Sequence, residues 1–463
     1  MLSVQKNRFP LESGNSLPLD MLLQKCTAGH KLVSSLRQII AAGRAERTYP
    51  KWSDEFLTYS ERTAVETSAR LNEWLESYDQ GILPVGILSE RLSTIIHAWE
   101  LLHSFIKPVL DADNLKVPHP LVHFLTEHIG GLRVVAGAKF VTEISPQLNY
   151  FQHSHTDLRN AISFLQSLVR GPAIEPRLGF LALPCSQSRN LFTNCLLYHE
   201  VGHFIAEETS LLARIEITKL SDELESKFGE YKRWAASRIR RLMEELFADL
   251  VAVKLAGLAY TLSYMELIRL VSDDLTQHAK RFFVDHPADA LRFREQLKIL
   301  EHDKWGEYGA KLPQWAELKK ISQVTELEYL VPKEYQNDVA MTKIWRMLIE
   351  TLCNEDRLKR LHEQVDGVLA DRENPYERFV ESAAEVEECL GHGIVPSLER
   401  GGRSPHPLAI INGAVLFWLS GMSELYRVVP RCSGKKVEDR AFLENRVEMW
   451  CLKAIEDWLI RTK

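Results

Sequence analysis

Along the first 130 residues, apolar positions recur at the three- and four-residue steps of an amphipathic helix. Leu22, Leu23, Leu32, Leu36, Ile39 and Ile40 mark one stripe, and Leu57, Val65, Ala69, Leu71 and Leu75 a second. A third runs through Ile87, Leu88, Leu92, Ile95, Ile96, Trp99, Leu102 and Phe105. Pro84 and Pro108 are read as punctuation between helices, with a fourth helix from Pro120 to Ile129 and an irregular lead-in over residues 1–18. At Gly130-Gly131 the texture changes. Leu132–Ile144 is rich in β-branched residues and lacks helical period, which predicts a strand, and Arg177–Pro184 predicts a short one closed by its proline. Residues 155–169 between them read as a helix opened by Thr156 or Asp157. A further helix, capped by Ser188 or Asn190, runs to about Glu208. Beyond it, helices are predicted at Asp222–Lys227, 230–258, 261–282 and 288–302. A helical series over 312–461 follows, broken near Pro332, Pro375, Gly401-Gly402, Pro430 and Gly434. The expected fold is mainly α with a small β-sheet (α+β): an N-terminal helical region (1–129), a core (130–302) and a C-terminal helical region (303–463).

Composition narrows the partners more than the fold. The 463 residues carry 57 Lys+Arg against 63 Asp+Glu, a net charge of -6, so no nucleic acid or anionic membrane surface is expected as partner. The 7 cysteines form no C-x-x-C pair, which fits reduced thiols in a cytoplasm better than a disulfide framework. The opening MLSVQKNRFPLESGNS has no apolar core and is not read as a secretory signal. The longest uncharged run, Pro407 to Ser423, holds Asn412, Gly413, Ser420 and Gly421. It falls short of the roughly 20 apolar residues that a spanning helix needs. It reads as a buried helix, and no membrane insertion is expected.

One stretch changes the picture: Tyr198-His199-Glu200-Val201-Gly202-His203 on a predicted helix. Residues four apart share a helix face, so His199 and His203 can both reach one ion. Glu200 lies beside them, where it can take a proton from a water held by that ion. A catalytic zinc usually has three protein ligands, so a third is sought elsewhere. Glu244-Glu245-Leu246-Phe247-Ala248-Asp249 is the candidate segment. Glu245 and Asp249 lie four apart on one face; Glu245 is the expected ligand, with Glu244 competing. Asp249 is expected to bond the ring nitrogen of a ligating histidine. Ala248 and Ala252 would let this helix pack closely against the active one.

A third motif, Asp285-His286-Pro287 with Arg292 five residues further on, completes a series. HExGH (199–203), ExxAD (245–249) and HPxxxxR (286–292), in that order, resemble the gluzincin metallopeptidases of the CAAX prenyl endopeptidase and HtpX-like family. The resemblance spans roughly residues 176–302 and lacks that family's transmembrane helices. Soluble gluzincins, including the repressor-cleaving ImmA-like group, share the first motif and a downstream Glu. The resemblance implies a zincin-like metallopeptidase core holding one catalytic Zn²⁺. It implies that His286 and Arg292 stabilise the oxyanion, and that strand 178–183 lines the cleft and pairs with an extended substrate. The alternative for His286 and Arg292 is a helix start with Pro at its first position and a structural Arg.

Other features read more simply. Cys195 is expected as a buried thiol, Tyr198 as packing, and the run Lys232, Arg233, Arg238, Arg240, Arg241 as a solvated helix face. His153 and His155 read as surface residues, and Tyr260 has no position fixed by the pattern. The expected function is a soluble zinc-dependent endopeptidase acting on a protein or peptide, narrow or regulated in specificity, with its flanking helices available to a regulatory protein partner. The competing expectation is a catalytically idle zinc-binding helical protein that works by interaction.

Overall fold

A computed structural model describes residues 19–46, 53–111, 119–130, 132–145, 151–153, 155–168, 178–184, 190–209, 228–272, 274–283, 285–302, 304–329, 338–370, 376–397, 402–422, 425–426 and 437–462. The lead-in, Ser188, the expected helix at Asp222–Lys227 and the breaks at Pro332, Pro375, Gly401, Pro430 and Gly434 lie outside these residues. The architecture is mainly α with a small β-sheet, as the pattern predicts. By internal contact the chain forms two compact units, Met1–Asn114 with Thr156–Pro176, and Leu115–His155 with Arg177–Lys463.

In the first unit, helices α1 (Leu19–Glu46), α2 (Asp54–Asp79) and α3 (Val85–Asp111) pack on one another. Buried positions on α1 are Leu22, Cys26, Gly29, Val33, Leu36, Ile40 and Gly43, alternating four- and three-residue steps that keep one stripe inward. Leu23, Val65, Ala69 and Ile87, expected on the inner stripes, are instead exposed. Each lies one or two residues from an inward one, and each step turns a helical side chain about 100° from its neighbour. Pro84 precedes α3 as expected, but Pro108 lies inside it. It falls in the last turn, where one missing backbone hydrogen bond does not stop the helix.

The second unit holds α4 (His119–Gly130), β1 (Lys139–Ser145), β2 (Phe151–His153) and, after α5 (His155–Leu168) of the first unit, β3 (Leu178–Pro184). The strand expected over Leu132–Ile144 begins only at Lys139, because Arg133–Val135 is a 3₁₀ turn and Gly137 takes a φ of +80°. The strand order is β1-β3-β2. β3 pairs in parallel with β1 (Val141 opposite Phe180) and antiparallel with β2 (Gln152 opposite Leu181). β3 is thus the middle strand, and Phe180–Ala182 are paired on both edges, so the expected substrate pairing along residues 178–183 is blocked over those three residues.

The helix expected as one piece to Glu208 is two: α6 (Leu191–Asn194) and α7 (Leu197–Glu208). Tightened bonds from Leu196 N–H to Thr193 O and from Tyr198 N–H to Cys195 O make the step between them. α7 lies against β3, where Gly179 leaves room for the rings of Phe140 and Phe204. Its other flank meets α8 (Lys232–Ala256). Gly257, at φ +69°, turns the chain into α9 (Leu258–Val271), which ends earlier than the expected 261–282 helix. Asp274 caps the short α10 (Leu275–Ala279), then come β4 (Arg281–Phe282) and α11 (Asp289–His302). β4 pairs in parallel with β5 (Glu328–Tyr329). α12 (Trp305–Gly309) and α13 (Pro313–Ser322) pack on α11, while α14 (Val339–Leu352) and α15 (Glu355–Leu369) pack on α8. α16 (Tyr376–Gly391), α17 (Pro407–Leu416) and α18 (Val437–Arg461) complete the unit. α17 is buried along its whole length and continues into a π-helical turn, Phe417–Gly421, so the uncharged run is a core helix.

Candidate metal centre

The site forms where α7 crosses α8. A Cβ on Gly202 would stand 2.5 Å from the Cα of Ala248 and 2.8 Å from its carbonyl oxygen, so only glycine permits this approach. The close crossing brings the imidazoles of His199 and His203, one turn apart on α7, over the carboxylate of Glu245 on α8. The two Nε2 atoms are 3.1 Å apart. Glu245 Oε2 is 3.3 Å from His199 Nε2, and its Oε1 is 3.6 Å from His203 Nε2. One ligand atom from each of the three residues lies within 4.8 Å of the others, a group able to hold a metal ion.

Carboxylates behind the rings set which nitrogens face inward. His199 Nδ1 is 2.9 Å from Asp249 Oδ1, and His203 Nδ1 is 3.4 Å from Glu244 Oε1. An ionised carboxylate only accepts, so each ring presents an Nδ1–H to the acid behind it, which leaves Nε2 as the nitrogen facing the other ring and Glu245. The two Nε2 atoms stand 3.1 Å apart with Glu245 Oε2 3.3 Å from that of His199, so a metal ion bound there would take the place of the proton that His199 Nε2 otherwise carries. Glu245 Oε2 is buried and receives no well-directed hydrogen bond, although His199 Nε2 and His286 Nδ1 lie 3.3 and 3.1 Å away. A buried carboxylate oxygen aimed at two imidazoles and left without a directed donor has the environment of a ligand atom. Glu244, weighed as the competing ligand, stands instead behind His203.

Asp249 is the most heavily bonded acid of the site. Arg292 Nε donates to its Oδ2 at 2.6 Å and Nη2 to its Oδ1 at 2.7 Å, and the Tyr260 hydroxyl donates to Oδ1 at 2.5 Å. The Tyr260 oxygen is also 3.3 Å from His199 Nδ1, and its ring lies parallel to the imidazole. One turn along α9, Tyr264 donates to Asp289 and offers its ring face to the Arg292 guanidinium, 4.3 Å away. Burial would raise the Asp249 pKa, but the Arg292 guanidinium outweighs it and holds the carboxyl well below the usual range. Burial likewise opposes a charge on His199, yet the neighbouring carboxylates of Asp249 and Glu245 lift its pKa to about 10 in the metal-free protein. Glu245 is kept ionised against its own burial by His199 and His286.

The sequence motifs thus reach the site with different parts. His199, His203 and Glu245 converge, and Asp249 takes the expected place behind a histidine. Arg292, expected over the cleft, is buried and gives both arms of its guanidinium to Asp249, away from the solvent side. That geometry matches its structural alternative. His286 does stand at the mouth, its side chain 52% exposed and its Nδ1 at Glu245. Glu200 is buried on α7 between the two histidines in sequence. Cys195 is a buried thiol pushed up to about 12 by its burial, and it contacts Ser263 Oγ at 3.0 Å.

Tyr264 escaped the sequence reading, although its four-residue spacing from Tyr260 places both on one helix face. Asn412 escaped it too, and no local signal marks it. Its Oδ1 accepts from Ala259 N–H at 2.8 Å and its Nδ2 donates to Ala256 O at 2.7 Å, clamping the Gly257 turn that returns Tyr260 to Asp249. No protein-family model, curated protein or solved structure matches the chain.

Proposed function

We propose that the protein is a zinc-dependent endopeptidase of the gluzincin type, cutting protein or peptide chains with Glu200 as its base. The observation that carries the reading is the convergence of two imidazole Nε2 atoms and one carboxylate, each imidazole backed by its own acid. Two nitrogens and one carboxylate oxygen are a common catalytic zinc donor set. A zinc ion there would supply Lewis-acid polarisation of the scissile carbonyl and a more acidic water. Glu200 follows His199 directly on α7. Its carboxylate accepts the proton of the attacking water as the oxygen bonds to the carbonyl carbon. It then passes that proton to the amine nitrogen as the C–N bond breaks. His286, at the exposed mouth, can donate to the oxygen on which negative charge develops. Arg292 and Tyr260 hold Asp249, and Asp249 holds His199.

A reducing compartment accords with the unbridged thiols of Cys26, Cys195, Cys353 and Cys451, so we place the protein in the cytoplasm. No helix among the described residues is long and apolar enough to cross a membrane.

The test is Glu200→Gln. The variant should bind zinc as the wild type does while peptide cleavage falls about 10²–10⁴-fold, the usual worth of a positioned base. Cleavage at the wild-type rate would reject Glu200 as base. Zinc bound by a wild type that cleaves no peptide would favour the idle, interaction-type protein.

A further inference from the structure

The face of α8 that carries Glu245 and Asp249 extends toward the helix start through Arg241, four residues before Glu245, and Arg238, seven before it. Both arginines turn to the same acid: Arg238 Nη1 is 2.6 Å and Arg241 Nε 3.4 Å from Asp285 Oδ1. Asp285 precedes His286, whose Nδ1 is 3.1 Å from Glu245 Oε2. The Asp285-His286 segment therefore runs beside α8 from the arginines to the metal ligands, along the side on which His286 is exposed. Two guanidiniums share one carboxylate there. Arg241 remains 62% exposed, and Asp285 is its one partner among the described residues.

Residues 232–241, the first part of α8, hold Lys232, Arg233, Arg238, Arg240 and Arg241 with no acid among them. Only Lys232 and Arg233 lie in the first turn, where the helix dipole disfavours cations; Arg238 and Arg241 lie beyond its reach. Four residues of helix rise about 6 Å, the reach of about two residues of extended peptide. A peptide lying over the metal ligands along this side would bring a side chain near Arg241.

We propose that Arg241, assisted by Arg238, is a carboxylate-binding subsite of the cleft, selecting peptides with an acidic group about two to three residues from the cleaved bond. This rests on the peptidase reading and adds its substrate class. Arginine suits the task because its planar fork meets a carboxylate through two parallel hydrogen bonds. The acidic group is either an Asp or Glu side chain or the peptide's own terminal carboxylate.

The test uses zinc-loaded full-length protein and two synthetic decapeptide libraries, one with both termini blocked and one with free C-termini. The wild type should cleave with Asp and Glu enriched two to three residues to one side of the bond. Enrichment in the blocked library assigns side chains; cleavage confined to the free library, a fixed distance from its end, assigns the terminal carboxylate. Arg241→Ala should lower the ratio of acidic to matched amide peptide cleavage tenfold or more. Arg241→Glu should move the preference to Lys and Arg. Both variants should melt as the wild type does, because an exposed ion pair contributes little to stability. A wild type that cleaves without acidic preference, or an unchanged ratio in both variants, overturns the subsite and leaves the peptidase standing. A zinc-bound wild type that cleaves neither library overturns both.

Discussion

Asp249 receives Arg292 through two hydrogen bonds and Tyr260 through a third, and it lies 2.9 Å from His199 Nδ1. A buried acid so occupied fixes the tautomer and orientation of the imidazole in front of it. His203 has a looser partner, Glu244 at 3.4 Å, so the two histidines are unequally supported. Arg292→Met should therefore act through His199: it strands a buried carboxylate, costing about 3–5 kcal/mol of stability, and weakens zinc binding about 10–100-fold. Calorimetry and zinc titration check the two effects together. Intact zinc affinity in a destabilised variant would show that Asp249 does not tune the ligand. At this scale the sequence was legible where chemistry imposes spacing. The four-residue step from His199 to His203, and again from Glu245 to Asp249, places side chains by helix geometry alone. The direction of Arg292 was not legible. A short motif fixes which residue is present, while the partner of a long side chain is set by whichever buried charge the fold brings near it.

The crossing of α7 on α8 is what turns motifs into a site. Gly202 permits it, since any Cβ at that position would press on the backbone of Ala248. Gly202→Ala should cost about 1–3 kcal/mol as an overpacking change and should weaken zinc binding by prising both histidines from Glu245. A melting curve with a parallel zinc titration measures this. Unchanged affinity would mean the site does not depend on the close approach. The elements themselves were largely readable from period, as α1, α4, α7 and α8 show. Their interruptions were less so. The step between α6 and α7 rests on backbone bonds within one turn, and the stretch before β1 bends at Gly137, whose positive φ no propensity reveals. The neighbours of β3 were likewise hidden, because β2 is only three residues long and short strands carry little pattern.

Within the second unit, helices far along the chain hold the site in place. Asn412 on α17 clamps the turn before Tyr260, and Glu448 on α18 accepts the Leu191 N–H that opens α6, at 2.8 Å. Such contacts across more than 150 residues of chain leave no trace in a local pattern. Burial, with Glu444 nearby, raises the Glu448 pKa to about 7 from 4.5, against the pull of the Leu191 N–H. An acid whose folded pKa is raised favours the folded state less as pH climbs from its unfolded value to its folded one. The penalty is absent below about pH 4.5 and complete above about 7. Glu448→Gln keeps an acceptor and removes the charge. It should stabilise the protein at pH 8 by up to about 3 kcal/mol, read as a higher melting temperature, and much less at pH 5. An equal difference at both pH values would contradict the assignment.

The central claim is that His199, His203 and Glu245 together hold one catalytic zinc. Metal content of the purified wild type beside Glu245→Ala, by inductively coupled plasma mass spectrometry, tests it most directly. About one zinc per wild-type chain, lost from a folded Glu245→Ala, is the result expected of a three-ligand site. A folded wild type that takes up no zinc, or a Glu245→Ala that retains it fully, would contradict the account.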